Sequence, residues 1–247
     1  MKNKMPSVIL AIVFIVFWQI LAVIISAPYI LPSPVQILFK IWELRETLFL
    51  VQLPSTMAVT FIGLVISVVF GIMLAVIMDN NKKLADAIYP LVIASQTIPT
   101  TAIAPLFVLW FGYSIWSRVL VTILITFFPV TISVYDGLRS VKREMEELLI
   151  TYGAGKKDIF FKLKVPTALP YFFSAIKMAI PLSVIGAAIA EWLGAQSGLG
   201  YFSKRMMTQL DGAGVFAPVV LLSVVAMISV NIISRIEEKV IKWRNEM

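Results

Sequence analysis

The sequence predicts an all-α membrane protein with about six transmembrane helices, and three observations lead there. The 247 residues are 60% hydrophobic and only 14% charged, a balance no soluble domain of this size keeps. The apolar residues gather in runs close to the roughly 20 residues that a helix needs to cross hydrocarbon. Basic side chains collect in the intervals between alternate runs, as they do on the cytoplasmic side of a membrane.

Lys2 and Lys4 precede a first run, Val8 to about Ile25. It is longer than the apolar core of a signal peptide and is followed by no clear cleavage site, so it reads as an uncleaved span with its amino terminus inside. Residues 28–55 carry Pro28, Pro32 and Pro34 and then Trp42 among charges. They suit a helix lying along the outer interface or an ordinary loop. The second span runs from about Met57 to Met78, and the turn Asp79–Lys83 closes it on the cytoplasmic side. The third begins near Leu84 and is interrupted by Ser95, Gln96, Thr97, Thr100 and Thr101 with Pro99 and Pro105. Proline removes a backbone donor, so this span is expected to be kinked or locally unwound, with its polar cluster turned toward protein or a water-filled path. A fourth span, about Arg118 to Tyr135, holds Pro129.

The longest polar interval, residues 136–170, follows, with Arg139, Lys142, Arg143, Lys156, Lys157, Lys162 and Lys164. Within it EMEELLITYG reads as a short helix with Leu148, Leu149 and Tyr152 on one side and Glu144, Glu146 and Glu147 early in it, stopped by Gly153. A second short piece, DIFFKLKV, is expected to end at Pro166. The fifth span runs from about Tyr171 to Leu193 and contains Lys177, which either snorkels to the near interface or meets the solute. The Gly-rich EWLGAQSGLGYF stretch is expected outside, where Gly194 and Gly198 read as a turn rather than a GxxxG contact. The last span, about Phe216 to Ile233, leads to a basic tail. Six spans put both termini in the cytoplasm. Lys2, Lys4, Lys82, Lys83, the central interval and Arg235, Lys239, Lys242 and Arg244 then lie inside, against Lys40, Arg45, Arg118, Lys204 and Arg205 outside. Trp42, Trp116 and Trp192 fall at the outer interface and Trp243 at the inner.

Composition also excludes chemistry. The chain has no cysteine and no histidine, so thiolate metal sites, zinc hydrolases and histidine triads have no parts. The net charge of +7 resides in loops between spans, where topology accounts for it without a nucleic-acid partner. Gly153-Ala154-Gly155-Lys156-Lys157 fails the phosphate-loop pattern twice, with Ile150 where an earlier Gly belongs and Lys157 where Ser or Thr belongs. The chain is not expected to be an ATPase, and no cofactor is expected in it.

Glu147-Leu148-Leu149, three residues, Gly153, nine residues, then Leu163-Lys164-Val165-Pro166 resembles the EAA signature of permease subunits in binding-protein-dependent ABC importers. Leu148 and Leu149 replace its alanines, Leu163 its Ile and Val165 its Leu. The resemblance covers roughly 56–241, after a first span and outer segment at 1–55 and before a tail at 242–247. SQTIPTTAIAPLFVLWFG and AEWLGAQSGLGYF look like the branch that takes nitrate, sulfonates, taurine, riboflavin and thiamine precursors. It implies a type I importer permease fold in a bacterial or archaeal cytoplasmic membrane. It also implies a coupling helix carrying Glu147, Leu148, Leu149, Tyr152, Gly153, Ala154 and Pro166, which docks on a separate ABC ATPase present in two copies and holding ATP and Mg. The other partners it implies are a second, identical permease subunit and an extracytoplasmic binding protein. A translocation path including Ser95, Gln96, Thr97, Thr100, Glu191 and Gln196 offers no arginine. A thiamine-precursor pyrimidine or another heteroaromatic therefore suits it better than a sulfonate, taurine or nitrate. An ion-coupled secondary transporter is the alternative from another class, but it needs a coupling group in the membrane, where only Lys177 stands.

Overall fold

The computed structural model describes residues 5–242, so Lys2, Lys4, Trp243 and Arg244 lie outside the described residues. Those residues form helices joined by short turns: α1 (Met5–Ile25), α2 (Pro34–Glu43), α3 (Leu53–Asn80), α4 (Lys82–Ser95), α5 (Thr100–Phe111), α6 (Ile115–Arg139), α7 (Arg143–Thr151), α8 (Lys156–Ile159), α9 (Val165–Gly194), α10 (Leu199–Thr208) and α11 (Gly212–Val240). Five stretches are long and apolar enough to cross a membrane: 8–25, 47–80, 115–139, 156–194 and 212–240. The sixth is broken, with α4 and α5 meeting at 95°. The interruption expected in the third span is thus a full change of direction, made across Gln96 to Pro99.

The core is the packing of α6 between α3 and α9. Small residues let these backbones approach, as they do where lipid offers no hydrophobic drive to association. A methyl group added at Gly71 would lie 2.9 Å from Val130 Cγ1, and one at Gly186 3.1 Å from the Thr122 backbone. Ser67 and Thr126 hydrogen-bond across the buried α3–α6 seam, and Thr126 also donates to Thr122 O at 2.7 Å. A second core brings Leu48, Leu199, Phe202, Met206, Ala217 and Leu221 together, holding α10 and α11 to the start of α3. By contrast α1 is exposed along most of its length and meets the rest through α2 and the Trp18–Phe216 ring contact.

This arrangement decides one open alternative and corrects two expectations. Residues 34–43 do form a helix, started by a capping box between Ser33 and Gln36. It lies on α11, with Ile37 buried, Trp42 outward and Lys40 3.1 Å from Asp211. The second span begins before Met57, because a π-helical turn over 47–52 feeds straight into α3. Finally, Pro166 ends nothing. A π-helical turn over 160–164 joins α8 to α9, so one helical path runs from Lys156 to Gly194 through Pro166, Pro170 and Pro181. Pro54 and Pro166 both sit one residue into an α-helix directly after a π turn. In each case the wide turn before the proline takes up the missing donor and relieves the clash with the preceding carbonyl that a regular α-helix would impose.

Lys177, on α9, does not snorkel freely: its Nζ lies 2.6 Å from Glu237 Oε2 near the end of α11. Holding this partly buried charge at membrane depth is tolerable because the opposite charge comes with it.

Candidate functional site

At one end of the bundle α7 stands off the transmembrane helices and presents an apolar face. Met145, Leu148 and Tyr152 follow one another at helical spacing and all are exposed, Tyr152 at 81%. Leu149 and Ala154 are half-buried and Glu147 is exposed, paired with Arg143 at 2.8 Å. The helix closes in a Schellman turn. Gly153 N–H donates to Ile150 O at 2.9 Å and Ala154 N–H to Leu149 O at 3.0 Å, with Gly153 at φ +81°. No other group lies within 4 Å of where a Gly153 side chain would start. Phe161, 65% exposed, adds to the apolar surface of this end. Neither it nor Met145 was singled out from the sequence, although both lie inside the basic interval, where an apolar side chain has no lipid to face.

The knob is held to the bundle by an ion bridge. Lys164 Nζ lies 3.1 Å from both carboxylate oxygens of Asp79, at the end of α3, and 3.5 Å from Glu146 of α7. The Asp79 side chain is almost fully enclosed. Lys164→Met is therefore expected to cost about 3 kcal/mol, because it strands a buried carboxylate. Adding Asp79→Asn should recover most of the loss, since the partner charge is gone too. Thermal unfolding of the two variants in detergent checks this, and equal midpoints for single and double variants would contradict it.

At the opposite end the turn after α9 is pinned to α3. Gly198 N–H donates to Gln52 Oε1 at 2.7 Å, Leu199 N–H to Thr56 Oγ1 at 2.8 Å and Gly200 N–H to Glu191 Oε2 at 2.8 Å. Thr56 in turn donates to Glu191 Oε2 at 3.0 Å. The first N–H groups of a helix have no partners within it, and here three side chains from other elements take them. The carboxylate also complements the positive end of α10. Glu191 is 1% exposed, so it belongs to this clamp and to no open surface of the chain. Beside it Ser55 and Ser197 share a hydrogen bond of 2.9 Å, and Arg118 reaches Ser55 Oγ and Ser197 O at 3.4 Å each. Gln196 is exposed next to the clamp.

The polar residues between α4 and α5 are arranged differently. Ser95 donates to Val92 O at 2.7 Å and Thr97 to Ala94 O at 2.8 Å, so their hydroxyls satisfy their own helix end. Gln96 and Thr97 are exposed, and Ser95 and Thr100 half-exposed. Thr101 borders an open, apolar groove of about 570 Å³ between α9 and α11, walled by Pro181, Ile185, Trp192 and Leu222 with Ser223 as the other hydroxyl. The structure thus separates the sequence candidates into a knob at one end, a clamp at the other and a polar elbow beside a groove between them. Among the described residues no cluster of acidic, His or Cys side chains could hold a metal ion.

Residues 67–242 match the model of the family described as "Binding-protein-dependent transport system inner membrane component". The chain is 52% identical over 235 residues to the formylaminopyrimidine transport permease protein of Halalkalibacterium halodurans, covering 95% of this chain and 94% of that one. It is 28% identical over 231 residues to the riboflavin transport system permease protein of Chloroflexus aurantiacus, covering 93% and 86%. With the taurine transport system permease protein of Escherichia coli the identity is 22% over 244 residues, covering 96% and 89%.

Proposed function

The chain belongs to the family of binding-protein-dependent transport system inner membrane components, and from that premise we propose that it passes a thiamine-precursor pyrimidine across the membrane. The observation that carries this reading is the 52% identity over nearly all of both chains to a permease named for formylaminopyrimidine, against 28% and 22% for those named for riboflavin and taurine. The elbow and groove agree with it: they offer hydroxyls, an amide and apolar walls, but no arginine to hold a permanent anion. The test is calorimetric titration of the partner binding protein with an aminopyrimidine, riboflavin and taurine. Micromolar binding of the pyrimidine is expected, and binding of taurine alone would overturn the reading.

The family works with an ATPase and a binding protein. In this reading two copies of the chain enclose one path, and each sets its knob on one ATPase, where ATP and Mg are held. Leu148, Leu149, Tyr152 and Ala154 supply the apolar contact, Glu147 its charged rim, Gly153 the turn and Pro166 the start of the long helix behind it. Both termini face the cytoplasm with the knob, as the distribution of lysine and arginine favours. Closing of the ATPases moves the knobs, and the frame of α3, α6 and α9 carries that motion to the outer clamp that Glu191 holds, beside Gln196.

The solute passes Ser95, Gln96, Thr97 and Thr100. Cysteine placed at Gln96 or Thr97, in a chain with none of its own, should react with a small hydrophilic thiol reagent to a degree that changes with nucleotide. Labelling no greater than at lipid-facing Val69 would remove these residues from the path.

A further inference from the structure

A second cavity, of about 460 Å³, opens between α4 and the end of α6, at the same end of the molecule as the knob. Its walls differ from those of the apolar groove. Tyr89 and Tyr135 face one another with ring centroids 5.7 Å apart and planes inclined by 47°. Arg139 donates from Nη1 to Tyr135 Oη at 2.8 Å and lies 5.5 Å from that ring's centroid, which commits one of its five donors to a phenol and fixes the ring. Asp86 and Asp136 also line the cavity. Among the described residues neither makes a hydrogen bond or an ion pair, although Arg139 is close enough to attract both. The lining thus carries two carboxylates with acceptor capacity to spare, one guanidinium partly engaged, and the half-buried ring of Tyr89 set against the buried ring of Tyr135.

From this set of groups we propose that the cavity is a cytoplasmic-side binding site for a planar nitrogen heterocycle bearing an exocyclic amino group, the class of the transported solute. The inference rests on the pyrimidine reading given above. A carboxylate accepts from an exocyclic N–H, and a tyrosine ring stacks on a flat heterocycle whatever its substitution. The free donors of Arg139 face the ring nitrogens or a carbonyl of such a ligand. An alkyl sulfonate fits none of this, because two carboxylates against one arginine leave the site net negative and repel an anion. The volume is within the range of small-molecule sites and exceeds that of a single pyrimidine ring, which suits a site that holds its ligand loosely and lets it go. Arg139, which lines this cavity, also lines the neighbouring pocket that holds Asp79, Glu146 and Lys164 of the knob's ion bridge.

The test uses the purified permease with its ATPase, without binding protein or nucleotide, and radiolabelled 4-amino-2-methylpyrimidine in equilibrium dialysis. Saturable binding with Kd of about 0.1–1 mM is expected. Asp86→Asn, at an exposed position where folding is not at stake, and Tyr89→Leu should each weaken it by about tenfold, and excess taurine should not compete. Absence of saturable binding, affinity in both variants unchanged from the unaltered chain, or displacement by taurine would each overturn the site. Titration of the binding protein with the same pyrimidine, run alongside, separates the two readings. If the binding protein takes the pyrimidine while dialysis shows no effect of the variants, the cavity is not a site and the solute assignment stands. If the binding protein refuses it while dialysis shows the expected losses, the cavity is a site for amino heterocycles and the solute assignment falls.

Discussion

Truncating Glu191 to alanine is expected to lower the thermal midpoint of the purified permease by about 10 °C. The carboxylate is enclosed and accepts from Gly200 N–H and Thr56 Oγ1, so its removal strands the buried Gly200 donor, leaves Thr56 Oγ1 only its longer bond to Gln52 O at 3.3 Å and opens a cavity in the clamp. A stranded donor costs about 1–3 kcal/mol, and for a chain of this length about 1 kcal/mol shifts the midpoint by roughly 2–4 °C. Glu191→Gln keeps an acceptor oxygen in place of Oε2 and should recover more than half of the loss. Gly198→Val should be at least as damaging as the truncation. Gly198 is at φ +120°, and the first atom of any side chain there would overlap the Glu191 carboxylate. A Glu191→Ala protein with the midpoint of the unaltered chain would show that the clamp does not hold the outer turn.

What the sequence made legible follows the range of the interactions. Long apolar runs mark spans because hydrocarbon thickness is fixed, and the stop at Gly153 was readable because a Schellman turn is built from six consecutive residues. The direction change near Pro99 was legible as an interruption, since proline and hydroxyl side chains gather there, but its angle depends on how α5 packs against α6 and α9. The clamp's bonds to the start of α3 join residues 135 to 146 positions apart, and nothing near Glu191 or Gly198 in the chain gives a sign that Thr56 will meet the one and Gln52 the other. Lys164 and Asp79, 85 positions apart, each look like ordinary interfacial charges until α3 and α9 are packed. Pro166 was misleading for a different reason. The rule that proline ends helices holds for a regular α-helix, and the π turn that suspends it over 160–164 has no pattern in the residues FFKLK.

Gly153→Val is expected to leave the fold standing and to reduce ATP-driven uptake more than tenfold. The two halves of that expectation come from one geometry. Because nothing lies within 4 Å of the first atom of the new side chain, the cost is confined to the backbone, about 1–2 kcal/mol for a left-handed residue and more for a β-branched one. A cost of that size, placed at the end of a nine-residue helix that stands off the bundle, is met by opening the turn, not by unfolding the spans. Opening it breaks the bonds from Gly153 N–H to Ile150 O and from Ala154 N–H to Leu149 O, and with them the relative placement of Leu148, Tyr152 and Ala154. Gly153→Asn provides the comparison, since asparagine tolerates the left-handed conformation and should keep most of the uptake. Membrane insertion and thermal midpoint, measured on both variants, should stay within a few degrees of the unaltered chain, while reconstituted vesicles loaded with ATP separate them. Normal uptake by the valine variant would remove this turn from the coupling path. Equal loss in valine and asparagine variants would instead make the bare surface of glycine, rather than its backbone, the feature the ATPase meets.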